Sequence, residues 1–135
     1  MSEAAIQERL HHAVLLIEDN DDLREAFAAL AEIAELEPVA CTNARDGLEW
    51  LKHGLRPCLI LLDLAMPGMN GLAFRREQLK DPELAAIPVV VCSGTGFIPR
   101  KQTELTGIAR FLRKPTDIKD LLQLFIEYGH AAEHT

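Results

Sequence analysis

A chain of 135 residues, 48% hydrophobic and 26% charged, has the size and balance of one folded domain that buries its own core, which excludes a disordered chain. Its formal net charge of −7 has the wrong sign for unaided contact with nucleic acid or anionic lipid. Its apolar runs are too short to span a bilayer.

Met1 to Leu10 mixes Glu, Gln and Arg and lacks the apolar stretch of a secretory signal. Residues 1–11 read as a tail, 12–129 as one domain and 130–135 as a frayed second tail. The cysteines, Cys41, Cys58 and Cys92, are odd in number, lack metal-like spacing and sit beside apolar runs. They read as small buried hydrophobes in a reducing, cytoplasmic protein.

The first apolar run, Ala13–Ile17, predicts a strand covered on both faces. From Asp22 to Leu36, Leu23, Phe27, Leu30, Ala31 and Ala34 recur at helical spacing, with Asp21 and Asp22 at the favourable amino end. Pro38–Cys41 is a weaker, more polar run that suits a sheet edge. Thr42 or Asn43 can cap a helix running to about His53, with Gly54 as its stop. Leu59–Leu62 is a second doubly covered strand, followed by a helix over Leu72 to Lys80. Val89–Cys92 is a third such strand. A weak helix is expected near Pro99 to Thr106, then a polar strand at Ile108–Leu112. The last helix runs from about Asp117 to Tyr128, with Ile118, Leu121, Leu122, Phe125 and Tyr128 on one face. Its wide apolar arc, which includes Leu124, suits either packing on its own sheet or a homodimer or partner surface.

Strands alternating with helices predict a parallel α/β sheet, in which ligands bind beyond the carboxyl ends of the strands. Glu18 and Asp19 follow the first run, Asp63 the third, Ser93 the fourth and Lys114 the fifth. Two like charges 4 Å apart repel by about 4 kcal/mol at an effective dielectric of 20, so three converging carboxylates call for a cation. A hard ion with oxygen ligands, Mg²⁺, fits that need. Lys114 adds positive charge and Ser93 a hydrogen-bond donor, a set suited to phosphoryl transfer. Each residue also has a plainer reading: Asp63 as a turn residue, the acidic run 18–22 as a helix cap, Ser93 as loop chemistry, Lys114 as a solvated side chain.

In the segments Val14-Leu-Leu-Ile-Glu-Asp-Asn20, Ile60-Leu-Leu-Asp-Leu-Ala-Met-Pro-Gly-Met-Asn-Gly71, Val89-Val-Val-Cys-Ser93 and Phe111-Leu-Arg-Lys-Pro115, the chain resembles the receiver domain of two-component response regulators. The resemblance runs from about Ala13 to Tyr128. It implies a single doubly wound (βα)5 flavodoxin-like domain with strand order 2-1-3-4-5. It also implies that Asp63 accepts the phosphoryl group, and that Asp19, helped by Glu18 and the backbone carbonyl of Ala65, holds Mg²⁺ with it. By the same resemblance Lys114 pairs with a phosphoryl oxygen, Ser93 bonds another, and Phe111 takes the switch aromatic position. Pro115, after a cis peptide in this family, fixes Lys114. The implied donor is a histidine kinase or histidine phosphotransfer protein, and the implied output is contact with a downstream protein, with no direct nucleic acid and no membrane. Such a domain catalyses only its own phosphorylation and dephosphorylation.

The chain departs from the family pattern in two places. Phe111 lacks a hydroxyl where Tyr is common, so a switch here works by packing. The region holding Gly94, Gly96, Pro99 and Gly107 is irregular and one residue shorter than usual between Ser93 and Lys114. Two alternatives stand beside the active receiver: a receiver-like interaction module independent of phosphorylation, and a receiver fragment of a hybrid kinase or larger regulator. An aspartyl-phosphate phosphatase would need a second Asp where Ala65 stands.

Overall fold

The computed structural model describes residues 2–3, 12–64, 71–93, 107–114 and 116–133, with Ser93 and Glu133 described by their backbone alone. The elements in chain order are β1 (Ala13–Ile17), α1 (Asp21–Ile33), β2 (Glu37–Cys41), α2 (Ala44–Lys52) and β3 (Leu59–Asp63). There follow α3 (Gly71–Leu79), α4 (Pro82–Ala85), β4 (Val89–Ser93), β5 (Arg110–Arg113) and α5 (Ile118–Glu133). The helix expected near Pro99 to Thr106 lies outside the described residues.

The five strands form one parallel sheet in the order β2-β1-β3-β4-β5. The two polar runs are its edges, as their composition predicts. Strand side chains alternate between faces, and here both faces are covered. Ala13, Leu15, Ile17, Ile60, Leu62, Val89 and Val91 pack with Leu48 and Leu51 of α2, Phe74 of α3 and Leu84 of α4. Val14, Leu16, Leu59, Leu61, Val90 and Cys92 pack with Phe27 and Leu30 of α1 and Leu121, Leu124 and Phe125 of α5. Double coverage explains why β1, β3 and β4 are unbroken apolar runs.

Helix boundaries follow local chemistry. Asn20 caps α1 by accepting from the Leu23 amide, which places Asp21 and Asp22 in the first turn, where the dipole favours them. The helix stops at Ile33, short of the expected Leu36. Glu35 takes φ 63° and the Leu36 amide bonds back to the Ala31 carbonyl, a left-handed terminal turn that usually carries glycine. Asn43 caps α2 and Gly54 follows it at φ 106°. On α2, Gly47 lies so close to β1 that a Cβ there would stand 2.5 Å from Ile17 Cδ1.

The short helix α4 is an element the apolar pattern does not announce. Asp81 caps it, and the buried Gln78 donates to the carbonyls of Leu84 and Ile87 while accepting from Arg75. At the other end of the chain, α5 runs through Glu133 and so includes residues expected to fray after Tyr128. Gly129 allows this close packing, since a Cβ there would stand 2.8 Å from Leu36 Cδ2. Leu124 is buried against the chain's own sheet, so it belongs to the core and not to an exposed arc. Cys41 and Cys92 are buried, Cys58 is half-buried, and all three are free thiols.

Candidate phosphoryl-acceptor site

Parallel strands end on one rim, and the loops leaving β1, β3 and β5 bring charged groups together there. β1 and β3 are paired so that Ile17 lies opposite Leu62. The residues that follow, Glu18 and Asp63, are therefore placed side by side. One carboxylate oxygen from each of Glu18, Asp19 and Asp63 lies within 4.8 Å of the others. Glu18 and Asp63 are buried, whereas Asp19 faces solvent.

Lys114, just past β5, reaches between the two buried acids. Its Nζ stands 2.6 Å from Glu18 Oε1 and donates to Asp63 Oδ2 at 3.2 Å. Apart from that ion pair, the buried Glu18 Oε1 has no hydrogen-bond partner among the described residues. Glu18 Oε2 accepts from the Asn20 amide at 3.3 Å.

These contacts leave the acids in tension. Burial pushes the Glu18 carboxyl up to about 7; Lys114 opposes the rise and Asp63 adds to it. Burial works to lower the Lys114 ammonium, but its contacts with Glu18 and Asp63 outweigh that and raise it. A buried carboxylate pair sharing one ammonium is short of positive charge. An added divalent ion with oxygen ligands would relieve the deficit, and the three convergent carboxylates, two of them buried, fit Mg²⁺.

Two supporting residues escape the sequence reading. Arg24 on α1 donates to the Glu18 carbonyl at 3.0 Å and also pairs with Asp21, which ties the acidic loop to the helix behind it. Cys92 Sγ lies 3.1 Å from Thr116 Oγ1, holding the segment beyond Lys114 against β4. Neither shows up as an apolar or strand-end signal. Gly71 has a third supporting role. A Cβ there would stand 2.8 Å from Leu64 Cα and 2.9 Å from the Asp63 carbonyl oxygen, so α3 starts directly against the acceptor strand.

Of the other expected site residues, Ser93 ends β4 opposite Arg113, with its side chain outside the described residues. Ala65 and Pro115 lie outside them as well. Phe111 is in β5, and its side chain is 51% exposed, so it is not a core residue in this state.

Comparison with known proteins agrees with the fold. The family model for the response regulator receiver domain matches residues 14–126. The chain is 31% identical over 111 residues to the response regulator Rre1 of Synechocystis, covering 81% of this chain and 48% of that protein. It is 29% identical to the protein PilH of Pseudomonas aeruginosa, covering 82% of this chain and 91% of that one. A response regulator receiver protein from Pseudomonas putida superposes with a TM-score of 0.76 at 27% identity, over 85% of this chain and 95% of its own.

The chain belongs to the response regulator receiver family of two-component signalling. Receiver domains are signalling domains rather than conventional enzymes, and phosphorylation-based signalling is their general role. Among the described residues no helix is long and apolar enough to cross a membrane.

Proposed function

We propose that this receiver takes a phosphoryl group on Asp63 from the phosphohistidine of a histidine kinase or histidine phosphotransfer protein. The observation that supports this most is the convergence of Glu18, Asp19 and Asp63 at the strand ends, with Lys114 Nζ against Glu18 and Asp63. An Asp63 carboxylate oxygen attacks phosphorus as the phosphorus–nitrogen bond of the donor breaks, and the imidazole leaves with that electron pair. A magnesium ion held by Glu18, Asp19, Asp63 and the Ala65 carbonyl would neutralise charge on the transferred group. Lys114 turns from Asp63 to a phosphoryl oxygen, Ser93 bonds another, and Pro115 keeps Lys114 in place. Phe111, exposed before phosphorylation, repacks as Ser93 moves, which changes the face offered to a downstream protein.

The domain is assigned to residues 12–129, flanked by tails, and to the cytoplasm, where phosphohistidine donors and magnesium meet. Because the chain spans 48% of Rre1, a receiver joined to further segments is the second reading. The test is incubation with acetyl phosphate and Mg²⁺, followed by intact mass. Wild type gains one hydroxylamine-labile phosphoryl group and Asp63→Asn gains none while remaining folded. Persistence of the labile phosphate in that variant would show a different acceptor. Failure of wild type to respond to beryllofluoride would favour a module independent of phosphorylation.

A further inference from the structure

A second site lies away from these acids, at the β2 edge of the sheet. β2 is an edge strand, separated from β3 by β1. The Glu37 amide and the Cys41 carbonyl both bond toward β1 and its flanks. In a parallel ladder the intervening residue then turns its backbone groups outward, which places the Ala40 N–H and C=O on the side away from β1, where no strand among the described residues pairs with them. Pro38 lacks an N–H and so limits strand addition to the far half of β2.

Beside that edge is a groove of about 430 Å³ lined by Ala40, Cys41, Thr42, Asp46, Glu49, Trp50 and His53. Asp46, Glu49 and Trp50 fall at i, i+3 and i+4 on α2, and therefore on one helix face, with His53 capping its end. The opposite face of α2, with Ala44, Leu48 and Leu51, is buried in the core. Trp50 is 50% exposed, an aromatic surface that no core packing accounts for. Asp46 is held by Asn43; Glu49 faces His53 Nδ1 at 3.8 Å, and that nitrogen donates to the Glu49 carbonyl at 2.7 Å.

We propose that this groove docks an extended, arginine-bearing segment of a partner protein. Each feature selects part of that occupant. The outward Ala40 backbone suits a short extended chain that adds to the edge. An indole flanked by two carboxylates suits a guanidinium, which stacks on the ring and pairs with the acids. An anionic segment would meet Asp46 and Glu49 at close range and be repelled. The site is independent of Asp63, so its test does not involve phosphorylation.

Trp50 is the chain's single tryptophan, so intrinsic fluorescence reports on the groove. The full chain is titrated with a capped hexapeptide of alternating arginine and valine, and with the same peptide carrying citrulline in place of arginine. A saturable change with the arginine peptide and none with citrulline is expected. Asp46→Asn combined with Glu49→Gln weakens binding by about fivefold, the sum of two exposed ion pairs. Glu25→Gln with Glu32→Gln, the same charge change on exposed positions of α1, leaves it unchanged. Asn at 46 keeps the acceptor for Asn43, and circular dichroism checks the fold. Should the groove variant unfold, the two peptides on wild type still decide. No saturable change at millimolar peptide, an equal response to citrulline, or equal weakening by the α1 pair would overturn the proposal.

Discussion

Replacing Glu18 with Gln probes the shortage of positive charge at the acidic rim. The Glu18 carboxyl is raised from 4.5 to about 7 in the folded chain, chiefly by burial. The folded state therefore holds this proton more tightly than the unfolded state. Stability from that proton is fully present below pH 4.5 and is lost as pH rises to about 7. At ~1.4 kcal/mol per pH unit, the ceiling on the loss is about 3.5 kcal/mol, and solvent reaching the rim beside Asp19 reduces it to ~2 kcal/mol. Gln mimics protonated Glu. The variant should match wild type at pH 4 and exceed it by about 2 kcal/mol at pH 8, measured by urea unfolding in EDTA. Added Mg²⁺ should stabilise wild type at pH 8 and the variant less. A difference that stays flat with pH, or a variant that becomes progressively weaker as pH rises, would refute the reasoning.

Three further outcomes follow from particular contacts. Lys114→Ala leaves Glu18 and Asp63 without their shared ammonium, and should cost about 3 kcal/mol at pH 7.5 without magnesium. That loss should shrink at pH 5, as urea midpoints will show. The same variant should still take up some phosphate but lose the conformational response to beryllofluoride, read as an unchanged amide spectrum. Gly71→Ala drives a methyl into the backbone of Leu64 and Asp63, and should cost about 2 kcal/mol; an unshifted midpoint would mean that α3 simply moves away. Leu124→Ala removes a buried side chain and should cost about 3 kcal/mol. Unchanged stability with altered sedimentation would return Leu124 to a partner surface.

The inner strands were legible because doubly covered parallel strands leave no polar side in the sequence. β1 coincides with its apolar run, and β3 and β4 each run one residue further, into Asp63 and Ser93. β5 was displaced from Ile108–Leu112 to Arg110–Arg113, because an edge strand is set by backbone pairing, and Arg110 and Arg113 add no apolar signal. The end of α1 was overrun because Glu35 adopts a left-handed conformation that composition does not announce. α4 was missed because Gln78, a polar residue, organises it from within the core. At the rim, strand-end position placed Glu18, Asp19, Asp63 and Lys114 in one neighbourhood. Arg24 and Thr116 support it through a guanidinium and a hydroxyl from positions where such residues are ordinarily solvated, so sequence position alone did not mark them.

The absence of a side chain at Gly47 has an effect beyond α2. Ile17, which fills the space a Cβ would take, is the last residue of β1 and is followed directly by Glu18. The side chain just before the acidic loop is thus packed directly against a neighbouring helix. Drift in sequence along this helix should be tolerated at Arg45 and Lys52, which point to water. At position 47 one added carbon would press on the end of the Ile17 side chain, one residue from the charged cluster, so substitutions there should be felt by the core before the rim.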